Sequence, residues 1–257
     1  MSATVLYGAW FRRSMIELRR YYFDTVSGLV TIYGFFVILF LGARAFGGDT
    51  PGFGTKLSGV VVAYALWALT IFSMSTLTFE LTQEAQLGTL EQLGMSPFGL
   101  AHVLIARVFT NLAVYFAMMS VLLVLMMATT GRWLNIDVVS VLPLLLLSLA
   151  GILGVGFVLG GLAIVFKRIQ QALQVIQVVT IALVVPIDGV VWMKYLPLHW
   201  GSVLLRRVMV SGDSIFAIPA GDLLFLLANS ALYLVGGVAI FRLFERAARE
   251  RGLLGHY

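Results

Sequence analysis

The chain has 257 residues, of which 60% are hydrophobic and 11% are charged, and its mean hydropathy is +0.99. An ordinary soluble domain carries about 25% charged residues, so this composition excludes a water-soluble globule and indicates an integral membrane protein. Cysteine is absent, which excludes disulfides, thiolate metal sites and a cysteine nucleophile.

Residues 4–24 predict an amphipathic helix that lies in the membrane interface. At about 100° per residue, basic side chains share one face of this helix and aromatic side chains share the other. The basic face contains Arg12, Arg13, Arg19 and Arg20, and the other face contains Tyr7, Trp10, Phe11, Tyr21 and Tyr22. The charges follow the apolar stretch instead of preceding it, so the segment is not a signal peptide. The alternative is a basic cluster beside the membrane without fixed structure.

Six stretches of 18 or more residues without Asp, Glu, Lys or Arg predict transmembrane helices. About 20 apolar residues are needed to cross the hydrocarbon core, and the backbone groups of a spanning segment must be satisfied internally. The predicted spans are 25–43, 57–79, 108–131, 138–166, 169–187 and 223–241. The sequence therefore predicts an all-α polytopic membrane protein with a single membrane domain.

The distribution of Lys and Arg predicts the orientation. With six spans, one side of the membrane holds eleven of these residues and the other side holds six. Because the side richer in Lys and Arg is cytoplasmic, both termini are predicted to be cytoplasmic, including the tail 242–257. The basic charge is thus a topology signal, and nucleic acid is not expected as a partner.

The segment 80–97, between the second and third predicted spans and predicted to be cytoplasmic, is predicted to contain a short helix with clear end signals. Thr89 and Gln92 fit a capping box, Gly94 fits the position after a helix end, and Ser96-Pro97 fits the start of the next helix. A merely structural interfacial turn is the alternative reading.

This segment resembles the corresponding loop of ABC-2 type transporter permeases. The resemblance rests on Glu84 followed by Gly88, Thr89, Leu90, Glu91, Gln92 and Leu93, and then by Ser96-Pro97. It extends along the chain as an amphipathic N-terminal helix, six spans, a Gly-rich fourth span, a Gln-bearing fifth span and a Leu-Pro pair in the outer segment.

The resemblance implies the membrane subunit of an exporter, as a homodimer or pseudo-dimer, driven by two copies of a separate ATP-binding subunit. Residues Glu84 and 88–93 would form the coupling helix that contacts this ATPase, which would bind ATP and Mg²⁺. The outer segment 188–222 would form re-entrant helices at the exit, and localisation would be the plasma (inner) membrane.

The chain's own chemistry agrees with a transport subunit that is not an enzyme. None of its three lysines follows a glycine, so it has no P-loop lysine. Its three histidines are isolated and no His-Glu-x-x-His zinc motif occurs, so we expect no metal and no cofactor in this chain. The spans carry no charged side chain, which disfavours an intramembrane enzyme or a proton-coupled carrier.

Two further sets of residues are candidates for the substrate pathway. Gln170, Gln174 and Gln177 follow helical spacing and predict either a polar pathway or dimer face, or hydrogen bonds between helices. Trp192, Tyr195 and Trp200 in the outer segment suit a headgroup boundary and could stack on sugars. We expect Asp188 to lie at the outer boundary of the membrane and not to contact a substrate.

The absence of charge in the spans favours a hydrophobic or amphipathic cargo, such as a drug-like compound or a lipid. A polysaccharide or glycolipid exporter remains open as an alternative. A stand-alone secondary carrier and a membrane-embedded enzyme or assembly factor are the other hypotheses.

Overall fold

The computed structural model describes residues 8, 12, 14–16, 19–47, 53–86, 99–166, 170–184 and 191–250. Within these residues all regular structure is helical and no strand occurs. Five helices are long and apolar enough to cross a membrane. The predicted class of all-α membrane protein is therefore confirmed at this level.

Seven helices of eight or more residues follow one another along the described chain. They are α1 Tyr22–Gly47, α2 Phe53–Gln86, α3 Gly99–Thr130, α4 Val138–Phe166, α5 Gln170–Val184, α6 His199–Arg206 and α7 Ala220–Glu250. Two short 3₁₀ helices, Val191–Tyr195 and Ile215–Ala217, and one π-helical turn, Arg207–Ser211, lie around α6.

Five predicted spans coincide with the five long apolar helices α1, α2, α3, α4 and α7. The helix α3 ends one residue earlier than predicted, because Gly131 adopts φ of 65° and leaves the helix in a left-handed conformation. The predicted span 169–187 coincides with α5, of which 15 residues are described. Residues 167–169 and 185–190 lie outside the description, so a sixth span stays a prediction.

The helix α4 begins at the predicted boundary because Asp137 caps it. The carboxylate of Asp137 accepts hydrogen bonds from the backbone N–H of Val139 and from the Ser140 hydroxyl. Its backbone carbonyl accepts from Ser140 and Val141. Pro143 lies in the second turn, and the helix nevertheless continues to Phe166. The proline thus removes one hydrogen bond near the start of α4 without ending it.

The core of the described bundle lies around α2 and α4. The helix α2 contacts α1, α3, α4, α5 and α6, whereas α4 contacts α2, α6 and α7. Among the described helices, α4 and α7 share the most extensive contact. It depends on glycine: a Cβ atom at Gly154 would overlap the backbone carbonyl of Tyr233, and one at Gly237 would overlap the backbone of Gly154.

Candidate functional site

The predicted coupling helix lies almost entirely outside the described residues. Glu84 belongs to the last turn of α2, which ends at Gln86, and α3 begins at Gly99. The six residues from Gly88 to Leu93 fall between these helices, in the part of the chain that is not described. Since the predicted span ends at residue 79, the last seven residues of α2 extend about 10 Å beyond that span, toward this segment.

The predicted interfacial helix is described at some of its positions, which are helical except for Tyr21, a turn residue. Arg12, Arg19 and Arg20 are exposed there, but Tyr21 and Tyr22 of the opposite predicted face are exposed as well, so the amphipathic orientation stays a prediction. The hydroxyl of Ser14 donates a hydrogen bond to Asn111 of α3 at 3.2 Å. This bond ties the N-terminal segment to the third predicted span near its predicted cytoplasmic end.

The glutamines of α5 do not share one environment. The side chain of Gln174 is exposed, whereas Gln177 is half-buried and its backbone carbonyl accepts hydrogen bonds from Trp67 Nε1 and Thr180 Oγ1. The surroundings of the Gln170 side chain lie outside the description. The exposed face of α5 combines Gln174 with valines such as Val178, 66% exposed, so it faces lipid or another chain.

The described part of the predicted outer segment, from residue 191 onward, folds back into the helical bundle. After the 3₁₀ helix Val191–Tyr195, the chain reverses at Leu198, which is buried and has φ of 73°. A positive φ at a leucine is strained, by about 1–3 kcal/mol, and persists only where the surrounding structure fixes it. From this reversal α6 starts, and it packs against both α2 and α4.

The helix α6 fits between its neighbours because its contact residues are small or apolar. A Cβ atom at Gly201 would overlap the hydroxyl of Ser148 in α4, so only glycine allows this approach. His199 is buried, and its Nδ1 lies 3.0 Å from the backbone carbonyl of Leu183 in α5. Because a carbonyl only accepts, this nitrogen carries the proton. The eight-residue helix α6 is thereby in contact with three longer helices, α2, α4 and α5.

Two of the three predicted exit aromatics meet in one cluster. The rings of Tyr195 and Trp200 each make an edge contact with Phe225 of α7, with centroid separations of 5.6 and 6.1 Å. The ammonium of Lys194 lies 5.1 Å from the centroid of the Tyr195 ring and 5.8 Å from that of Phe225. Trp192 takes part in none of the described ring contacts and is 65% exposed.

Hydrogen bonds join the rest of the outer segment to the start of α4. The backbone N–H of Ile215 donates to the Ser140 hydroxyl at 2.9 Å, and that of Asn135 donates to the carbonyl of Met209, also at 2.9 Å. On the surface, Arg207 Nε pairs with Asp213 Oδ2 at 2.6 Å. The segment is thus a fixed element of the fold and not a loose loop.

The described residues hold no group of three or more His, Asp and Glu side chains that could bind a metal ion. Three buried polar atoms in this part of the chain lack a hydrogen-bond partner, namely Thr70 Oγ1, Ser73 Oγ and Trp200 Nε1. Two of them belong to α2 at the centre of the bundle. Such groups are costly in an apolar interior, and neither Thr70 nor Ser73 lines a described cavity.

Sequence reasoning missed Phe225 and the contact between Arg206 and Gly59. Phe225 lies in an apolar run, where nothing distinguishes it from a lipid-facing residue. Gly59 of α2 is buried, and a Cβ atom placed there would lie 2.5–2.6 Å from the guanidinium of Arg206. A glycine near the end of a span, facing a basic residue remote in the sequence, gives no sequence signal.

Comparison of the chain with protein-family models, with curated proteins and with solved structures finds no significant match. The functional argument therefore rests on the residues of this chain and on their arrangement.

Proposed function

We propose that the chain is the membrane-spanning subunit of an ATP-driven exporter of the ABC-2 type. In this proposal it has six spans, with both termini in the cytoplasm of a cell whose plasma (inner) membrane holds it. It forms a dimer, and two copies of a separate subunit bind ATP and Mg²⁺. The cargo is a hydrophobic or amphipathic molecule that moves outward.

The observation that carries the proposal is the position of α6. A short helix after the fifth predicted span is buried between α2 and α4, in the order that the loop resemblance implies for a re-entrant exit helix. A connection that only joined two spans would not need a buried helix with a glycine fitted against a serine. The extension of α2 toward residues 88–93 is a second support, because a coupling helix must reach a subunit beyond the membrane surface.

A polysaccharide or glycolipid cargo is the second candidate. The exposed rings of Trp192 and Tyr195 favour it, since aromatic rings at the mouth of a pathway provide stacking surfaces. Against it, the described spans present mainly apolar side chains, which suit a lipophilic cargo better. Transport assays with a lipophilic dye and with a labelled glycan distinguish these two classes.

The coupling assignment is tested by purifying the tagged chain from its native host and identifying the partners by mass spectrometry. We expect a protein with Walker A and ABC signature motifs in a fixed ratio to this chain. Glu91→Lys should abolish its recovery. Glu250→Lys is the matched control, because it makes the same charge change at an exposed site on the same predicted side.

Equal recovery of the ATPase with Glu91→Lys and with the wild-type chain would refute the coupling-helix assignment. Replacing residues 88–94 by a Gly/Ser linker gives a second, independent variant of the same segment. The orientation is tested in the cysteine-free background by labelling a cysteine placed at position 90. Labelling from outside intact cells would overturn the assignment of both termini to the cytoplasm.

A further inference from the structure

An apolar groove of about 600 Å³ opens on one side of the bundle between α1, α2 and α5. Its wall includes Phe35 and Ile38 of α1, Val60 and Tyr64 of α2, and Ile181 of α5. Several of these side chains are exposed, among them Ile38 at 67%, so the groove opens laterally along the apolar surface. Its volume falls within the range of about 300–1,000 Å³ typical of small-molecule sites.

A single cation lines this groove among the described residues. Arg206, at the end of α6, lies with its guanidinium over Gly59 of α2. Within the described part of the chain, Arg206 has no ion pair and no side-chain hydrogen bond. No acidic residue lines the groove among the described residues, and two described carboxylates have other partners, since Asp213 pairs with Arg207 and Asp137 caps α4.

The groove is polar at one end and aromatic at the other. Gly59 is the third residue of the apolar window of α2, which starts at Leu57, so Arg206 lies at the depth of a membrane boundary. Trp67 is eight residues further along α2, about 12 Å deeper, and its Nε1 is occupied by the carbonyl of Gln177. Tyr64 lies between them, and its hydroxyl is occupied by the carbonyl of Ile32. The polar atoms of both aromatic residues are thus engaged, and their rings face the groove as apolar surface.

We propose that this groove binds one anionic phospholipid from the adjacent leaflet, with the phosphate on Arg206 and an acyl chain along Val60, Tyr64 and Trp67. The guanidinium supplies up to five N–H donors in a planar fork that fits a phosphate. An anionic headgroup provides the counter-charge that the described residues do not supply. The apolar channel below accommodates a chain that would otherwise lie in bulk lipid. This site does not depend on the transport function proposed above.

The neighbouring Arg207 provides a matched control. It has the same charge and adjoins Arg206 in sequence, but it is exposed and pairs with Asp213. General attraction between basic residues and anionic lipid would weaken equally on removal of either arginine. A specific lipid site in the groove predicts that only the loss of Arg206 removes the preference for anionic lipid.

The test uses the full chain, purified into detergent with chain-matched phosphatidylglycerol and phosphatidylcholine, and counts retained lipids by native mass spectrometry. We expect wild type and Arg207→Gln to retain phosphatidylglycerol preferentially. Arg206→Gln should reduce this preference about fivefold, the effect of one basic residue near a lipid surface. Arg206→Lys should restore part of it. Equal losses in Arg206→Gln and Arg207→Gln, or no loss in either, would overturn the proposal.

Gly59→Ala keeps the test informative if Arg206→Gln does not fold. The added methyl group meets the far end of a flexible side chain and not backbone, so it displaces the guanidinium at little cost to the fold. We expect reduced retention of phosphatidylglycerol with an unchanged thermal midpoint. Unchanged retention despite the displaced arginine would contradict the assignment of the phosphate to Arg206.

Two further measurements separate the lipid from other occupants. Phosphatidylglycerol brominated on its acyl chain should quench the fluorescence of Trp67. The contribution of Trp67 is the difference in fluorescence between wild type and Trp67→Phe. Inorganic phosphate should not prevent this quenching. Protection by inorganic phosphate would identify a free-anion site instead. Rapid disulfide formation between two copies of an Ile38→Cys variant in anionic bilayers would show that a second copy occupies the groove, and would likewise overturn the lipid proposal.

Discussion

The helices α1 and α7 bury similarly small shares of their apolar windows, 11% and 17%, yet they are held in different ways. The helix α7 touches α4 backbone to backbone through Gly154 and Gly237. The described contacts of α1 are made by side chains, such as the Tyr64 hydroxyl on the Ile32 carbonyl and the ring of Phe36 against that of Tyr64. No glycine of α1 whose surroundings are described lies against a neighbouring helix. Because apolar burial provides no driving force between helices in lipid, close packing at small residues decides which helices are fixed. We therefore infer a rigid α4–α7 pair and a more weakly attached α1.

The largest effect is expected from Gly237→Leu. The new side chain would meet the backbone of Gly154, which cannot move without separating α4 from α7. We expect a loss of about 3 kcal/mol in the free energy of unfolding, at the upper end of overpacking costs. The measurement is a denaturant titration of the purified protein in micelles.

The adjacent Gly236 is the control for this prediction, because nothing lies within 4 Å of a Cβ atom at that position. Gly236→Leu should leave the stability unchanged within about 0.5 kcal/mol. If both variants lose stability equally, glycine contacts do not explain why α7 is attached more firmly than α1.

The next effect is expected at α6. Gly201→Ala places a methyl group against the Ser148 hydroxyl and should cost about 2 kcal/mol by overpacking. Ser148→Gly removes the obstructing atoms, so the double variant should regain part of that loss. A double-mutant cycle in the same micelle titration measures the coupling, and strict additivity would show that the two residues do not meet.

A smaller effect is expected where α1 is attached. Tyr64→Phe removes the hydrogen bond of 2.7 Å from the Tyr64 hydroxyl to the carbonyl of Ile32 in α1. Hydrogen bonds between membrane helices contribute about 0.6 kcal/mol on average, so we expect a loss of that order. Hydrogen exchange in α1 should accelerate while exchange in α7 stays unchanged.

The control for the α1 contact is Ser120→Ala, because the hydroxyl of Ser120 donates within its own helix to the carbonyl of Phe116. It should leave exchange in α1 unchanged. Acceleration of exchange in α7 by Tyr64→Phe would show that the two helices are not held independently.

The smallest effect is expected from Arg207→Gln, which breaks the ion pair with Asp213. This pair is about half exposed on the arginine side, at 46%, and surface ion pairs contribute about 0–1 kcal/mol. We expect a loss below about 0.5 kcal/mol that vanishes at high salt. Thermal midpoints at two salt concentrations measure it, and a large loss that salt does not reduce would assign a structural role to this arginine.

The membrane class and the positions of five helices could be predicted because length and composition determine them. A run of uncharged apolar residues can satisfy its backbone in lipid only as a helix, so α4 has the predicted bounds 138–166. Short helices in the segment 188–222 were expected from the family resemblance, and the described part of this segment contains α6, whereas its outward-facing, re-entrant role stays a prediction. Of the candidate residues, Tyr195 and Trp200 are brought together through Phe225, whereas Trp192 stays apart.

Contacts between distant residues could not be predicted. The sequence shows that the fourth span is rich in glycine, but the residues of α7 that these glycines contact depend on how two helices cross. They are Tyr233, Ser230 and Phe244. The contact between Gly59 and the guanidinium of Arg206 could not be predicted either, because the two residues are remote in the sequence. The assignment of residues 88–93 to a coupling helix rests on the sequence resemblance alone, since these residues lie outside the described part of the chain.

The sequence by itself determined that this protein is a helical membrane protein. Its long uncharged apolar stretches are stable in the hydrocarbon core of a bilayer and not in water. Only the tertiary structure decided which helices are fixed to one another and that Arg206 lines an apolar groove. The physical reason is that hydropathy acts on each segment separately, whereas backbone contact and charge pairing depend on two segments at once.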